Sequence, residues 1–489
     1  MNIVLVSSEV VPFAKTGGLA DVAGTLPIAL RAEGHQVSIF MPRYKDVSKQ
    51  KLGLTSVLKR VRLRMGTGTK EFNIFTTMLP DTDIPVYFID KELYFQRQQL
   101  YQENGQDYPD NAERFHYFCL AVLESLKVLD ISPDVIHCND WQTAMIPVYL
   151  KTTLQEDPFY KNIATIYTIH NLAYQGLFEF DVLSQLGLDE ALFHSDRLEF
   201  WGKVNFSKGG LVYADILNTV SERYSKEIQS NEFGCGLDGL LSSRAEDLYG
   251  ILNGLDYTQW NPETDPTLPA NFSVATLEKK AESKKKLLKL NKLTYSEDVP
   301  VLGLISRLAD QKGFDILSSV IDQILNMNVQ FVLLGTGDPK YHDLFEALEK
   351  KYPKKMKASL KFDGALSQLV YAGSDMFLMP SHYEPCGLGQ LISLKYGTVP
   401  IVRETGGLAD TIIDADQDPK NGNGFMFSEY TGEALLDAVK RAVAGYSQNK
   451  KRWQAIQKRG MDADFSWGAS ARKYGELYQK ALEKKQVPA

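Results

Sequence analysis

The 489-residue chain has few cysteines, and their spacing suggests neither a cross-link nor a metal site. None of the four, Cys119, Cys138, Cys235 and Cys386, forms a C-x-x-C pair. A disulfide framework or a zinc ribbon is therefore not indicated, and a reduced, cytoplasmic protein is expected. A run of about 18 uncharged apolar residues, which a membrane span needs, is also lacking. We expect no membrane partner, and we predict that MNIVLVSSEV is a first strand rather than a signal peptide.

An excess of basic charge is absent as well, because the formal net charge is -7 at pH 7. A nucleic-acid coat or a polybasic anchor depends on a positive field, so no nucleic-acid partner is expected. The first glycine-rich segment, KTGGL at 15–19, matches neither G-x-G-x-x-G nor G-x-x-x-x-G-K-[ST]. Hydride transfer and P-loop phosphoryl transfer are therefore disfavoured. No convincing D-x-D acidic pair is found, so we expect neither a metal nor another cofactor.

What the sequence does contain is a regular alternation of short β-branched strands with helical patterns. This alternation predicts an α/β protein with parallel sheets buried on both faces. Residues 256–298 interrupt it with several prolines and a lysine-rich helix. A solvated face is the favoured interpretation of that helix, and a partner-binding face is the alternative. The chain is too long for one core. We therefore predict two Rossmann-like domains and a terminal helix, at 1–248, 249–464 and 465–489.

One hexapeptide, TGGLAD, occurs twice, at residues 16–21 and 405–410. Paired glycines let backbone N–H groups approach a ligand closely, and a helix N-terminus favours anions. Turns that need glycine only for packing are the alternative interpretation. The presence of two copies favours a phosphate or sugar cradle.

Two charged loops follow predicted strands of the second domain, at the edge where open α/β sheets bind ligands. Arg307 and Lys312 come from one loop and could flank a diphosphate, one as a planar fork and the other as a point charge. Glu384 opens the second loop, EPCGLG, in which proline and glycine force an irregular turn. The plain alternatives are an ordinary charged loop and a helix-capping acid.

Polar residues also follow predicted strands of the first domain. His170 and Asn171 end the segment TIHN, and Asp140 follows the strand near 135–138. A core histidine and a helix-capping aspartate explain these equally well. Asn253, in NGLD near the domain junction, is best explained by its local chemistry as a plain Asn-Gly turn.

In order along the chain, KTGGLADV, TIHN, NGLD, SRL with QKG, YEPCGLGQ and ETGGLADT resemble the bacterial and plant glycogen and starch synthases. The resemblance spans about residues 3–478, and KTGGL together with EPCGL is highly specific, whereas TIHN or NGLD alone is weak. It implies a GT-B fold, in which two Rossmann-like domains face each other across a deep cleft. It also implies a final helix that returns to the N-terminal domain.

The resemblance assigns roles to particular residues. The implied catalytic residues are Lys15, His170, Arg307, Lys312 and Glu384. The implied donor-binding residues are Lys15, Gly17, Gly18, Asp21, Asp140, His170, Asn253, Arg307, Lys312, Phe362, Glu384, Cys386, Gly387, Leu388 and Gly389. Phe362 would stack on adenine. The implied acceptor-binding residues are Glu9, Tyr101 and Asn171.

Four positions depart from the family pattern. Phe362 stands where some relatives have Tyr, and Gln142 where many have His. Gly389 replaces a common Thr, so one phosphate hydrogen bond is not expected here. Ile392 stands where the wider group of retaining transferases has a second Glu, so ribose must be held differently.

The implied reaction is metal-independent transfer of glucose from ADP-glucose to the non-reducing end of an α-1,4-glucan, with retention of configuration. Negative charge grows on the leaving diphosphate, so fixed cations aimed at the phosphates are the useful groups. Front-face attack is favoured over double displacement. The alternatives are a UDP-glucose-dependent enzyme of the same fold (sucrose synthase-like or trehalose-forming), a glucan phosphorylase, and a catalytically silent glucan-binding protein.

Overall fold

Two large β-sheets, one in each of two units, organise the part of the chain that the structure describes. The structure is a computed structural model that describes residues 1–47, 53–103, 105–361 and 363–486. The units divide the chain at four points. The first comprises Met1–Val220, Ser225–Gly254 and Trp467–Ala489, and the second comprises Ser221–Tyr224 and Leu255–Ser466.

The first unit contains strands β1 to β14. Their bounds are β1 (Asn2–Val6), β2 (Gln36–Pro42), β3 (Thr55–Met65), β4 (Gly68–Met78), β5 (Pro85–Asp90), β6 (Gln102–Glu103), β7 (Gln106–Asp107), β8 (Val135–Asn139), β9 (Ala164–Ile169), β10 (Leu177–Phe178), β11 (Glu199–Phe200), β12 (Lys203–Asn205), β13 (Ile216–Thr219) and β14 (Leu248–Gly250). The second unit contains β15 (Val301–Ile305), β16 (Gln330–Leu334), β17 (Met356–Ser359), β18 (Met376–Met379), β19 (Val399–Arg403) and β20 (Phe425–Phe427). Among the described residues, the short strands β6, β7 and β10 to β12 form two small sheets.

Seventeen α-helices are found among the described residues. The first eight are α1 (Gly18–Ala32), α2 (Glu92–Phe95), α3 (Asn111–Val128), α4 (Met145–Lys151), α5 (Val182–Leu186), α6 (Phe206–Tyr213), α7 (Glu222–Glu227) and α8 (Asp238–Ser243). The others are α9 (Lys280–Leu290), α10 (Phe314–Asn326), α11 (Pro339–Lys351), α12 (Gly364–Gly373), α13 (Gly389–Lys395), α14 (Gly406–Thr411), α15 (Gly432–Gln448), α16 (Lys450–Asp462) and α17 (Trp467–Gln486). No described helix is apolar over a stretch long enough to cross a membrane.

The large sheet of the first unit has the order β14-β13-β9-β8-β1-β2-β5-β4-β3. Neighbouring strands are parallel from β14 to β5, and β4 runs antiparallel to both β5 and β3. The inner strands β8 and β9 are buried at every residue, as expected for strands covered on both faces. Counted along the chain, β1, β2, β5, β8, β9 and β13 have the Rossmann order 3-2-1-4-5-6.

The sheet of the second unit has the order β17-β16-β15-β18-β19-β20, and all its strand pairs are parallel. This is again the Rossmann order 3-2-1-4-5-6. Helix α10 shows how the covering helices bury one face, because its buried residues recur with the helical period. They are Phe314, Ile316, Leu317, Val320, Ile321, Ile324 and Leu325.

The terminal helix α17 is hydrogen bonded to the sheet of the first unit. The Tyr474 hydroxyl accepts a hydrogen bond of 3.0 Å from the Asn218 amide, and the Tyr478 hydroxyl lies 2.9 Å from Nδ1 of His137. Both tyrosines are completely buried. Because these polar groups have their partners inside the first unit, the helix fixes the end of the chain there.

The lysine-rich helix α9 corrects one expectation from the sequence. Lys280 and Lys284 are buried, so the interpretation of a wholly solvated lysine face is wrong for these two residues. The Lys280 ammonium donates to the carbonyl oxygens of Ala372 at 2.6 Å and Tyr396 at 3.0 Å. These carbonyls lie at the C-terminal ends of α12 and α13, where helices leave carbonyls unpaired and favour a positive charge.

Candidate active site

In each unit the predicted site residues lie around the point where the strand order reverses. In the first unit this point is between β1 and β8, and in the second it is between β15 and β18. Open α/β sheets bind ligands outside the carboxyl ends of the strands at such a point. The loops that follow these four strands carry most of the predicted residues, so the topology brings together side chains that are distant in sequence.

Glu9, in the loop after β1, binds the glycine-rich turn that begins α1. Its buried carboxylate accepts hydrogen bonds from the hydroxyl and backbone N–H of Thr16 and from the N–H of Gly17 at 3.2 Å. The hydroxyl of Tyr101 donates to the same carboxylate at 2.8 Å. The Ncap residue of α1 is Gly17, which has no side chain that could cap the helix. The Glu9 carboxylate instead supplies a negative charge at the N-terminus of α1.

Lys15, Gly17 and Gly18 form an open surface at this turn. A Cβ atom added at either glycine would meet nothing within 4 Å. The Lys15 ammonium pairs with Asp21 at 2.6 Å, and its side chain remains 52% exposed. Exposed ion pairs contribute little stability, so Lys15 can leave Asp21 for a phosphate at low cost.

Asp140 and His170 lie side by side at the ends of β8 and β9. The Asp140 carboxylate accepts the backbone N–H of His170 at 2.8 Å, and Asp140 itself has a left-handed φ of 57°. Burial raises the pKa of Asp140 to about 7, whereas burial lowers the pKa of His170 to about 3. His170 is therefore neutral at physiological pH, and Asp140 titrates within the physiological range.

The other two polar residues predicted for the first unit have different environments. The side-chain oxygen of Asn171 accepts the N–H of Ala173 at 3.1 Å, which closes a local turn. Asn253 is buried, and its side-chain oxygen has no hydrogen-bond partner among the described residues. That oxygen is an acceptor suited to a hydroxyl group.

The second unit contains a cavity of about 190 Å³ next to its switch point. Six predicted residues line it: Arg307, Lys312, Glu384, Gly387, Leu388 and Gly389. Ser306, Tyr371 and Ser381 also line the cavity and were not predicted from the sequence. Tyr371 belongs to α12, where an aromatic residue is typical of a core position, so no sequence signal identified it.

The charges of this cavity are arranged around Glu384. The buried carboxylate of Glu384 accepts from the Lys312 ammonium at 2.6 Å and from the Ser381 hydroxyl at 3.0 Å. Arg307 is exposed and forms no ion pair with any residue that the structure describes. These two cations and one carboxylate give the cavity lining a net positive charge, which suits an anionic group such as a diphosphate.

The EPCGLG loop is held by residues behind it. The Gln390 amide donates to the carbonyl oxygens of Cys386 at 3.0 Å and Gly387 at 2.9 Å, and Gly387 has a left-handed φ of 73°. Cys386 is itself buried. These hydrogen bonds direct the loop's carbonyls inward, so they fix the shape of the cavity wall.

The second copy of TGGLAD, residues 405–410, packs against the backbone of the EPCGLG loop. The Gly407 N–H donates to the Glu384 carbonyl at 3.1 Å. A Cβ atom added at Gly406 or Gly407 would lie 2.0 Å from a carbonyl oxygen of Glu384 or Cys386, respectively. Here the glycines serve packing. Phe362, the predicted adenine-stacking residue, lies outside the described residues.

Two Rossmann-ordered sheets, each with charged loops at its switch point, are the arrangement typical of GT-B glycosyltransferases. The family model for the starch synthase catalytic domain matches residues 2–243, and that for glycosyl transferases group 1 matches residues 286–459. Among the described residues, no group of three or more His, Cys, Asp or Glu residues could hold a metal ion.

Comparisons with individual proteins identify the family. Glycogen synthase from Moorella thermoacetica is 50% identical over 100% of this chain and 98% of its own length. Glycogen synthase from Thermosipho melanesiensis is 48% identical over 99% of this chain and 100% of its own length. The solved catalytic domain of starch synthase IV from Arabidopsis thaliana, bound to ADP and acarbose, is 35% identical, with a TM-score of 0.90 over 98% of this chain and 99% of that one. The chain belongs to the glycogen and starch synthase family, and it is a hexosyltransferase.

Proposed function

We propose that this enzyme transfers glucose from ADP-glucose to the non-reducing end of an α-1,4-glucan, with retention of configuration. The observation that carries the proposal is the cavity of the second unit, which Arg307, Lys312 and Glu384 line and in which Lys312 pairs with Glu384. Its relatives are named glycogen synthase, and the similar Arabidopsis domain binds ADP. A cytoplasmic location is part of the proposal and rests on the four free cysteines.

The proposed role of the cations is to stabilise the leaving diphosphate. Arg307 provides a planar fork that two phosphate oxygens can share, and Lys312 provides a point charge. Lys15, next to the open glycines of the first unit, is the third proposed cation. Preorganised charges of this kind act most strongly where negative charge develops in the transition state.

The proposed sugar contacts come from Glu384, Asp140, Asn253 and His170. An ionised carboxylate or an amide oxygen accepts hydrogen bonds from sugar hydroxyls, and the unpartnered oxygen of Asn253 has this character. Glu384 has one oxygen, Oε2, engaged by both Lys312 and Ser381. Its other oxygen is the proposed acceptor for a glucose hydroxyl.

The acceptor glucan is assigned to Glu9, Tyr101 and Asn171. The Tyr101 hydroxyl donates to Glu9, and the Glu9 carboxylate also accepts hydrogen bonds from the turn at Thr16. Burial next to Tyr44 and Glu9 raises the pKa of the Tyr101 hydroxyl, which therefore stays protonated as a donor. The pair would thus couple the acceptor position to the turn that carries Lys15.

For the chemical step we propose front-face substitution. The acceptor hydroxyl oxygen forms its bond to the glucose anomeric carbon as the bond from that carbon to the diphosphate breaks. The hydroxyl proton passes to the departing phosphate oxygen. Retention then needs no protein nucleophile, and trapping of a glucosyl-enzyme intermediate would overturn this step.

The test is competition between donors with glycogen as the acceptor. Labelled ADP-glucose and UDP-glucose are supplied together, and label in polymer is measured before and after digestion with an α-1,4-specific amylase. We expect label from ADP-glucose, released by the amylase. Parallel assays supply UDP-glucose with a small sugar acceptor, and glucose 1-phosphate with glycogen. Transfer in the first would instead support the sucrose synthase-like alternative, and polymer growth in the second would support a phosphorylase. No incorporation in any assay would support a silent binding protein.

A further inference from the structure

Asn139, the last residue of β8, is a buried amide that makes hydrogen bonds on both sides. Its Nδ2 donates to the carbonyl oxygens of Val6 at 3.1 Å and His137 at 3.3 Å. Since only the nitrogen end of an amide can donate, these two carbonyls fix which way the side chain points. The amide oxygen is therefore directed to the opposite side.

On that side lies the imidazole ring of His170. The Oδ1 atom of Asn139 is 2.9 Å from Nε2 of His170. An amide oxygen can only accept a hydrogen bond, so Nε2 must be the ring nitrogen that carries the hydrogen. In a neutral ring the other nitrogen, Nδ1, then has an unshared electron pair.

The backbone of His170 is held by the neighbour of Asn139. Asp140 accepts the His170 N–H at 2.8 Å, and its own N–H donates to the Thr168 carbonyl at 3.0 Å. Asn139 and Thr168 are also direct partners in the parallel register of β8 and β9. Two consecutive residues thus fix both the main chain and the ring of His170.

The titratable groups around the ring do not favour its charged form. His137, on β8, has both ring nitrogens bonded, to Tyr478 at 2.9 Å and Thr168 at 2.7 Å. Burial lowers the pKa of both His137 and His170 to about 3. The carboxylate of Asp140 faces the backbone N–H of His170 and titrates near pH 7. Nδ1 of His170 has no hydrogen-bond partner within the described residues.

We propose that Asn139 is a positioning residue that locks His170 in the Nε2–H tautomer, so that Nδ1 accepts a hydrogen bond from a hydroxyl of the transferred glucose. The inference rests on the proposed function, which places His170 against that sugar. It assigns His170 the role of a neutral acceptor. If Nδ1 of His170 donated a proton, or if the ring were a phosphate-binding cation, Nδ1 would have to carry a hydrogen.

The first test is nuclear magnetic resonance of the full-length enzyme labelled with ¹⁵N in the histidine rings. The chain has 7 histidines, and the spectrum of His170→Gln identifies the signal of His170. We expect the Nε2–H tautomer between about pH 6 and 8. Asn139→Leu should give a mixture of tautomers. An Nδ1–H tautomer in the unmodified enzyme, or an unchanged tautomer in Asn139→Leu, would overturn the lock.

The second test is the pH profile of glucosyl transfer by the same variants. Asn139→Leu should lower kcat/KM for ADP-glucose about tenfold, the value of one hydrogen bond. Asn139→Asp keeps an acceptor oxygen for the ring, although it loses the donor to Val6 and His137, and it should therefore restore the tautomer at least in part. Its charge raises the pKa of the ring, so we expect activity to fall as the pH is lowered, a change that a purely structural role would not produce.

A matched control separates local packing from the lock. The Thr143 hydroxyl is hydrogen bonded to the backbone carbonyls of Asn139 at 2.9 Å and Asp140 at 3.1 Å. Within the described residues it has no hydrogen bond to the His170 ring, so Thr143→Val should leave both the tautomer and the pH profile unchanged. If the unmodified enzyme has the locked tautomer but Asn139→Leu transfers glucose with unaltered kinetics, the proposed role of Nδ1 would be overturned. If the unmodified enzyme transfers no glucose, the proposed function fails while the tautomer measurement stands independently.

Discussion

The hexapeptide TGGLAD begins a helix in each unit, yet the two copies have opposite environments. Around Gly17 and Gly18 of the first copy the space is open, and the turn is bonded to the Glu9 carboxylate. Around Gly406 and Gly407 of the second copy the space is filled by the backbone of the EPCGLG loop. An identical local sequence therefore produces an exposed turn in one unit and a packed support in the other.

The difference shows where each unit obtains its candidate ligand chemistry. In the first unit the glycines themselves leave room for a ligand next to Lys15. In the second unit the glycines are beneath the surface, and the charges of Arg307, Lys312 and Glu384 line the cavity above them. Substitution of one copy should therefore affect binding, and substitution of the other should affect stability.

The largest expected effect is that of Gly407→Ala. The new Cβ atom would lie 2.0 Å from the Cys386 carbonyl oxygen and 2.6 Å from its Cα, so backbone must move. We expect a loss of about 3–5 kcal/mol in the free energy of unfolding, or failure to accumulate as soluble protein. Urea unfolding followed by circular dichroism measures it.

The matched control for this prediction is Gly18→Ala in the first copy. No atom lies within 4 Å of the new methyl group, and alanine favours the helix that begins there. Stability should be unchanged or slightly higher, while kcat/KM for the donor falls. If Gly18→Ala destabilised the chain as much as Gly407→Ala, the contrast between the two copies would be lost.

The next largest effect is expected for Arg307→Gln, which tests the charges above the second copy. Arg307 is exposed and has no ion pair among the described residues, so the melting temperature should not change. By analogy with removal of one oxyanion donor, kcat should fall about 10²–10³-fold, or about 3–4 kcal/mol. Steady-state ADP release with glycogen measures it.

Lys350→Gln, an exposed lysine on α11, is the control for Arg307→Gln and should retain full activity. Lys312→Gln should reduce the rate similarly but should also lower stability. The reason is that the buried Glu384 carboxylate loses its 2.6 Å partner. Wild-type rates for both Arg307→Gln and Lys312→Gln would remove these residues from the phosphate site.

The alternation of strands and helices was sufficient to predict the α/β fold, because short buried parallel strands have a local signature. Val301–Ile305 is an example, because its apolar residues belong to a strand of a sheet that is covered on both faces. The same reasoning predicted that Arg307 and Glu384 lie at one edge of the second sheet, because strand ends in such sheets converge there, and both residues line the cavity at that edge. Asn139 could have been found in the same way, since it immediately precedes Asp140.

Other features depend on contacts between distant segments, which no local pattern contains. Lys280 is buried because Ala372, Tyr396 and Thr398 surround its ammonium with acceptors. Charge alone predicts a solvated lysine there. Likewise, nothing within residues 405–410 indicates that the backbone of Glu384 and Cys386 fills the space beside the second glycine pair.

The stability of the chain should show a pH dependence that comes from Asp140, in the candidate site of the first unit. The folded-state pKa of Asp140 is raised to about 7 from an ordinary value of 3.8, so the folded chain binds more protons than the unfolded chain between these values. The contribution of Asp140 to the free energy of unfolding should therefore fall as the pH rises from about 4 to 7, and remain level above that. Asp140→Asn should remove this contribution, so the difference in stability between the variant and the unmodified chain should change over that pH range. Thermal unfolding at a series of pH values measures it, and a constant difference would contradict the assignment.

The smallest expected effect is that of Glu9→Gln, which tests how the first copy is held. In the first copy the Gly17 N–H donates to the side-chain carboxylate of Glu9, whereas in the second copy the Gly407 N–H donates to the backbone carbonyl of Glu384 at 3.1 Å. Loss of the carboxylate should cost about 1 kcal/mol, the usual value of a helix N-cap. It should also raise the KM for the donor more than it lowers kcat, because the turn carrying Lys15 loses order before the donor binds. An unchanged KM together with a lower kcat would show that Glu9 acts on the reaction itself, and the two copies would then differ in chemistry as well as in support.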